Sequence, residues 1–105
     1  MPMTSDQLSI LNGDLVDQAI QIQLHGPNHK GMWQAPRSRG CKARVDFEKR
    51  EIVINSTTHG ESRIPAGEFS VLHIMRREDQ LNQTYGISWV RLSDGNYKRE
   101  EFPLP

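Results

Sequence analysis

Five cationic side chains and one indole fall within sixteen residues. The segment HKGMWQAPRSRGCKAR, residues 29–44, holds Lys30, Trp33, Arg37, Arg39, Lys42 and Arg44 and no acidic residue. Phosphate oxygens attract Arg and Lys, and a nucleobase stacks on an aromatic ring at ~1–3 kcal/mol. Gly31 and Gly40 let the backbone approach a phosphate closely. The same residue types anchor protein interfaces, where Trp and Arg carry a large share of binding energy. A solvated loop whose Trp folds back as a lid over the core is the third use of such a segment. The six residues are the candidate binding set. No RNP-like or zinc-finger signature accompanies them.

A second chemistry is metal binding by His25, His29, His59, His73 and Cys41. His25 and His29 are spaced for one face of a helix, but Gly26 and Pro27 between them argue against a helix there. Neither CxxC nor HExxH occurs, so no metal or cofactor is expected. Cys41 as a nucleophile would need a histidine base and a lowered thiol pKa, and no spacing in the chain specifies either. No catalytic residue is assigned. The stretch Ile64-Pro65-Ala66-Gly67-Glu68-Phe69 superficially resembles a strand start of L,D-transpeptidases, Pro-x-Gly-x-Phe. Those enzymes also carry an SHGC-type motif late in the chain. Here His59-Gly60 is followed by Glu61, and Cys41 precedes both, so no family is assigned.

The elements that must position these residues read as strands. Ile20, Ile22 and Leu24 alternate with Gln21 and Gln23, and Ala43, Val45 and Phe47 alternate with Arg44 and Asp46. A polar EKRE group separates the second run from Ile52-Val53-Ile54, which makes a hairpin turning near Lys49-Arg50. Phe69–Met75 is β-rich. Tyr85–Leu92, Ser93-Asp94-Gly95-Asn96 and Tyr97–Phe102 read as a hairpin with a tight type I′ turn, closed by Pro103. Phe47, Phe69, Trp89 and Phe102 are the expected core aromatics. Residues 25–40, with three Gly and two Pro, read as a long loop.

Two options remain at the N-terminus. Thr4 or Ser5 can cap a short helix with Gln7, Leu8 and Leu11, or Asn12-Gly13 can turn a hairpin. The expected fold is mostly β: one domain over residues 1–105, an antiparallel barrel or sandwich of about six strands, with a short helix or irregular arm before Asn12.

Composition bounds the function. The chain has 105 residues, 13 basic and 13 acidic side chains and one cysteine. Leu, Ile, Val and Phe total 24 of 105, which is above the ~20% floor for a chain that can bury a core. Net charge is zero although residues 1–28 carry −3 and residues 29–45 carry +5. A balance so even disfavours a dedicated DNA-coating protein and weakens repulsion between copies. One cysteine excludes an intramolecular disulfide, no apolar run reaches ~18 residues, and the start MPMTSDQ lacks signal-peptide regions. A cytoplasmic setting without membrane contact is the expectation.

Tyr85–Leu92 and Phe69–Met75 carry apolar residues on both faces, which a chain of this size has trouble covering alone. The leading expectation is a non-catalytic protein-interaction module that self-associates, with residues 29–44 as its recognition surface. The alternative is a small nucleic-acid-binding β protein using the same loop. A small-ligand binder or enzyme comes third.

Overall fold

Thr4 opens the first element. Its Oγ1 accepts the Gln7 N–H at 3.1 Å, and Gln7 Oε1 accepts the Thr4 N–H at 3.2 Å, a reciprocal capping box. Met3 and Leu8, at the positions of a hydrophobic staple across that cap, are both buried. The resulting helix α1 spans Ser5–Val16 and buries Leu8, Leu11 and Leu15. It runs straight through Asn12-Gly13. Asn12 is no turn residue: its Oδ1 accepts the Val45 N–H at 2.8 Å, tying the helix to a neighbouring strand.

The computed structural model describes residues 3–16, 19–26, 32–34, 42–57, 60–78 and 83–103. Among them α1 is followed by β1 (Ala19–His25), β2 (Met32–Gln34), β3 (Lys42–Asp46), β4 (Glu51–Ser56), β5 (Gly60–Pro65), β6 (Val71–Glu78), β7 (Gln83–Arg91) and β8 (Tyr97–Pro103). These form a five-stranded sheet, β2-β1-β6-β7-β8, and a three-stranded sheet, β3-β4-β5, with every pairing antiparallel. The arrangement is a sandwich, not a closed barrel. Helix α1 lies beside β3, so the second layer runs α1-β3-β4-β5. Ile22, Leu24, Leu72, Ile74, Ile87 and Trp89 from the larger sheet meet Ala43, Val45, Ile52, Ile54 and Ile64 from the smaller one in a single buried cluster.

Two strands exceed the sequence expectation. β2 lies inside the segment read as a loop and pairs Met32 with His25, Trp33 with Leu24 and Gln34 with Gln23. Three residues are too few to show a period. β5, GESRIP, buries only Ile64 along its length, so its alternation is almost silent. Two aromatic assignments also change. Phe47 is 50% exposed because β3 ends at Asp46, whose Oδ1 accepts the Lys49 N–H at 3.1 Å and turns the chain. Phe102 is 38% exposed and lies over Gly86, where a Cβ would come within 2.6 Å of its ring. Phe69 and Trp89 are in the core as expected.

The β7–β8 turn is also of another kind. Gly95 N–H donates to Leu92 O at 3.0 Å and Leu92 N–H donates to Asn96 O at 2.7 Å. Gly95 has φ 90°, while Asp94 is not at positive φ. This is a three-residue loop closed by a glycine bulge, with one left-handed position in place of the two a type I′ turn requires.

Inside the sandwich, one carboxylate joins the layers. Asp14, 4% exposed, accepts Trp89 Nε1–H at 2.9 Å and both Arg99 Nε–H (2.8 Å) and Nη2–H (2.7 Å). Arg99 Nη2 also donates to Glu101 at 2.9 Å. Hydrogen bonds to Asp14 and then Glu101 raise the Arg99 pKa although desolvation opposes them. Tyr97 is buried beside Phe69, its ring 4.7 Å away, and donates its hydroxyl to Phe69 O at 2.7 Å. Burial pushes its pKa up to about 12.

Two outcomes follow for stability. Asp14→Asn removes one partner of a buried bidentate pair, and Arg99 is only 29% exposed, so the loss is about 2–3 kcal/mol. That lowers Tm by roughly 8–24 °C, as read by circular dichroism. A shift no larger than that of an exposed Asp6→Asn control would show that the pair does not hold the helix. Gly95→Val places a β-branched residue at positive φ, which costs about 1–2 kcal/mol or more, and an unchanged Tm would contradict the glycine bulge.

Candidate protein interface

The larger sheet has one face in the core and one outside. Strand alternation puts Ile22, Leu24, Leu72, Ile74, Ile87 and Trp89 inward, so the residues between them face out. Register aligns them in rows across β1, β6, β7 and β8. One row is Gln23, His73, Ser88 and Glu100, and the next is His25, Val71, Val90 and Lys98. A third places Met75 beside Gly86 and Phe102. Val71, Met75 and Val90 are partly exposed, and Ser88 is only 8% exposed.

His73 Nδ1 lies 2.9 Å from Ser88 Oγ. Burial lowers the His73 pKa, and the nearby His25 lowers it further. A serine–histidine contact invites comparison with a nucleophile and its base. Such chemistry also needs a group that orients the imidazole. Among the described residues no carboxylate hydrogen-bonds His73. The contact is a cross-strand pair between a half-buried imidazole and a buried hydroxyl, each giving the other a partner. Glu100 instead binds Lys98 of its own strand at 2.8 Å.

The six residues chosen from the sequence are only partly placed. Lys30, Arg37 and Arg39 lie outside the described residues. Trp33 is in β2, described by its backbone alone. Lys42 and Arg44 are exposed two positions apart on β3, opposite Asn55 and Val53. The face they share is not purely cationic. Arg63 there meets Asp46 at 3.1 Å, Glu51 at 3.2 Å and Glu61 at 3.4 Å. The Lys49 N–H and Arg63 hold the Asp46 carboxyl below its usual value, and the carboxylates raise the Arg63 pKa. Of the metal candidates, His25 and His73 share the outer face of β1 and β6, while His29, Cys41 and His59 lie outside the described residues. No group of three or more metal-binding side chains forms among the described residues.

No family model, curated protein or solved structure matches the chain.

A cleft of about 330 Å³ that no motif announced lies between the start of α1, the start of β4 and the end of β5. Arg50, Glu68 and Arg91 line it together with Met3 and Leu8. Arg50 has φ 52°, an uncommon conformation for a side chain of its size, and its guanidinium donates to Met3 O. That bond fixes the chain entering α1, so Arg50 acts as a clamp for the helix start. The only sequence signal was its place in the EKRE turn.

The lowered His73 pKa has a sign that can be tested. Folding favours the neutral ring, so this contribution is complete above the unfolded value of 6.5 and is lost as pH falls through it. Wild type should lose more stability between pH 7.5 and 5 than His73→Gln does, measured by urea melts at each pH. Equal losses would remove His73 as a source.

Proposed function

We propose that this protein is a non-catalytic interaction module that self-associates and receives protein partners on its five-stranded sheet. The observation that carries this reading is the outer face of that sheet. Val71, Met75, Val90 and Phe102 stand partly exposed around His73 and Ser88, while α1 and the smaller sheet pack against the opposite face. Zero net charge removes long-range repulsion between copies. Among the described residues no helix is long and apolar enough to cross a membrane. A lone cysteine fits a reducing, cytoplasmic setting.

Nucleic-acid binding is the competing reading. Exposed Lys42 and Arg44 favour it, and the carboxylates on the same face oppose it. If all five cations of residues 29–44 bound phosphates, affinity for single strands would fall with a log–log salt slope of about −3.5. Trp33→Ala would then cost ~1–3 kcal/mol.

Two measurements decide between them. Light scattering over a hundredfold dilution from micromolar concentration should show a mass above 12.0 kDa that falls on dilution. A constant 12.0 kDa would end the self-association reading. Fluorescence titration with mixed RNA and DNA at low salt should show no saturable binding. Saturation with the steep salt slope would put the nucleic-acid reading first.

A further inference from the structure

The five-stranded sheet ends at β8, and the main-chain direction of that edge can be read from the turn before it. Leu92 N–H donates to Asn96 O, which fixes a hydrogen-bonded position in the β7–β8 hairpin. Alternation then points the main-chain groups of Lys98, Glu100 and Phe102 at β7, and those of Tyr97, Arg99 and Glu101 away from it. Two contacts agree. Arg91, opposite Tyr97, donates its N–H to Ser70 O at 2.8 Å on the other side of β7. Tyr97 O is met from outside β7 by Gln7 Nε2 at 3.4 Å. Pro103 falls at an outward position, where its missing N–H costs the ladder nothing.

Among the described residues no strand pairs with β8 on that side, and the sequence of β8 suits a second β8. A two-fold axis normal to the sheet keeps both outer faces on one side, so opposed residues must share a face. With the axis at Arg99, the outward groups of Tyr97 meet those of Glu101 of the second copy, the long 3.4 Å bond from Gln7 Nε2 to Tyr97 O giving way, and the two Arg99 backbones pair. On the outer face Lys98 then stands opposite Glu100 of the second copy, and Glu100 opposite Lys98 of the second copy. Each Arg99 guanidinium is already held by Asp14 and Glu101 of its own chain, which relieves the approach of the two arginines. Shifting the axis to Glu100 would oppose two glutamates, each held by the Lys98 of its own chain, and would set Lys98 opposite Phe102 of the second copy, so the pairing of Lys98 with Glu100 across the axis would be lost. Charged edges are also a common guard against unwanted pairing. Here the alternating signs of Lys98 and Glu100 repel a displaced register and fit one symmetric partner.

We infer that a second copy of this chain pairs antiparallel along β8, centred on Arg99, giving one continuous sheet through both copies. The inference rests on the self-association reading and specifies its surface. The dimer presents two outer faces side by side and leaves Val71, Met75 and Val90 free for a partner protein.

The test uses sedimentation equilibrium on the whole chain and four variants, with Trp fluorescence and circular dichroism checking the fold. Glu101→Pro removes an outward N–H without touching a β7 bond, and Lys98→Glu sets like charges opposite each other. Each should weaken dimerisation roughly tenfold or more, since every loss occurs twice across the axis. Lys98→Glu combined with Glu100→Lys should restore it, and Val90→Lys on the outer face should leave it unchanged. If Glu101→Pro does not fold, the single and double charge variants decide. A wild-type monomer throughout would overturn both self-association and the β8 edge. A dimer broken by Val90→Lys, yet indifferent to Lys98→Glu and Glu101→Pro, would keep self-association and overturn the edge.

Discussion

The buried carboxylate of Asp14 is the constraint on which the layers depend. A helix of twelve residues with three buried leucines can slide or rotate on a sheet with little change in apolar contact. Asp14 removes that freedom. Its two oxygens are shared between the Trp89 indole and the Arg99 guanidinium, so α1 must sit at one height above β7 and β8. A bidentate arginine adds direction that dispersion lacks. Arg50 at Met3 O and Asn12 at the Val45 N–H fix the helix at two further points. Position is set by polar bonds, and most of the cohesion comes from apolar burial.

Placing the helix this way determines what is left open. The second layer consists of α1 and three strands, all on the inner face of the larger sheet. The outer rows keep a mixture of valine, methionine, histidine, serine and glutamine. Pairing of His73 with Ser88 gives two polar groups of that face a partner in each other. A surface neither fully wet nor fully dry suits contacts that form and break.

Local signals proved legible in the sequence, and interactions between distant residues did not. The Thr4–Gln7 cap and the alternation in β1, β3 and β7 depend on neighbours a few positions apart, and the structure bears them out. The hairpin positions near Lys49-Arg50 and Asp94-Gly95 were also visible, but the bulge at Gly95 depends on how Leu92 bonds Asn96. Phe47 and Phe102 followed the apolar rule and still lie outside, one because Asp46 turns the chain and the other because Gly86 provides a seat. Asp14 was counted only as a charge of the N-terminal segment, since its partners are 75 and 85 residues away. For the site, clustering of charge pointed to residues 29–44. Apolar residues on both sides of Phe69–Met75 and Tyr85–Leu92 already hinted at a second sheet face, and register then aligned its residues in rows across four strands.

Chain order gives the β1–β6 pairing a further meaning. Ile22 lies opposite Ile74, with the whole three-stranded sheet encoded between them. On a growing polypeptide, β1 has only the short β2 to pair with until β6 has been made. Asp14 has neither Trp89 nor Arg99 until still later. The β3-β4-β5 and β6-β7-β8 meanders join neighbours in sequence and close small loops, whereas β1 must close a loop of about 50 residues. During synthesis the N-terminal helix and strand are therefore passengers, carrying apolar side chains and the Asp14 carboxylate to a sheet that does not yet exist.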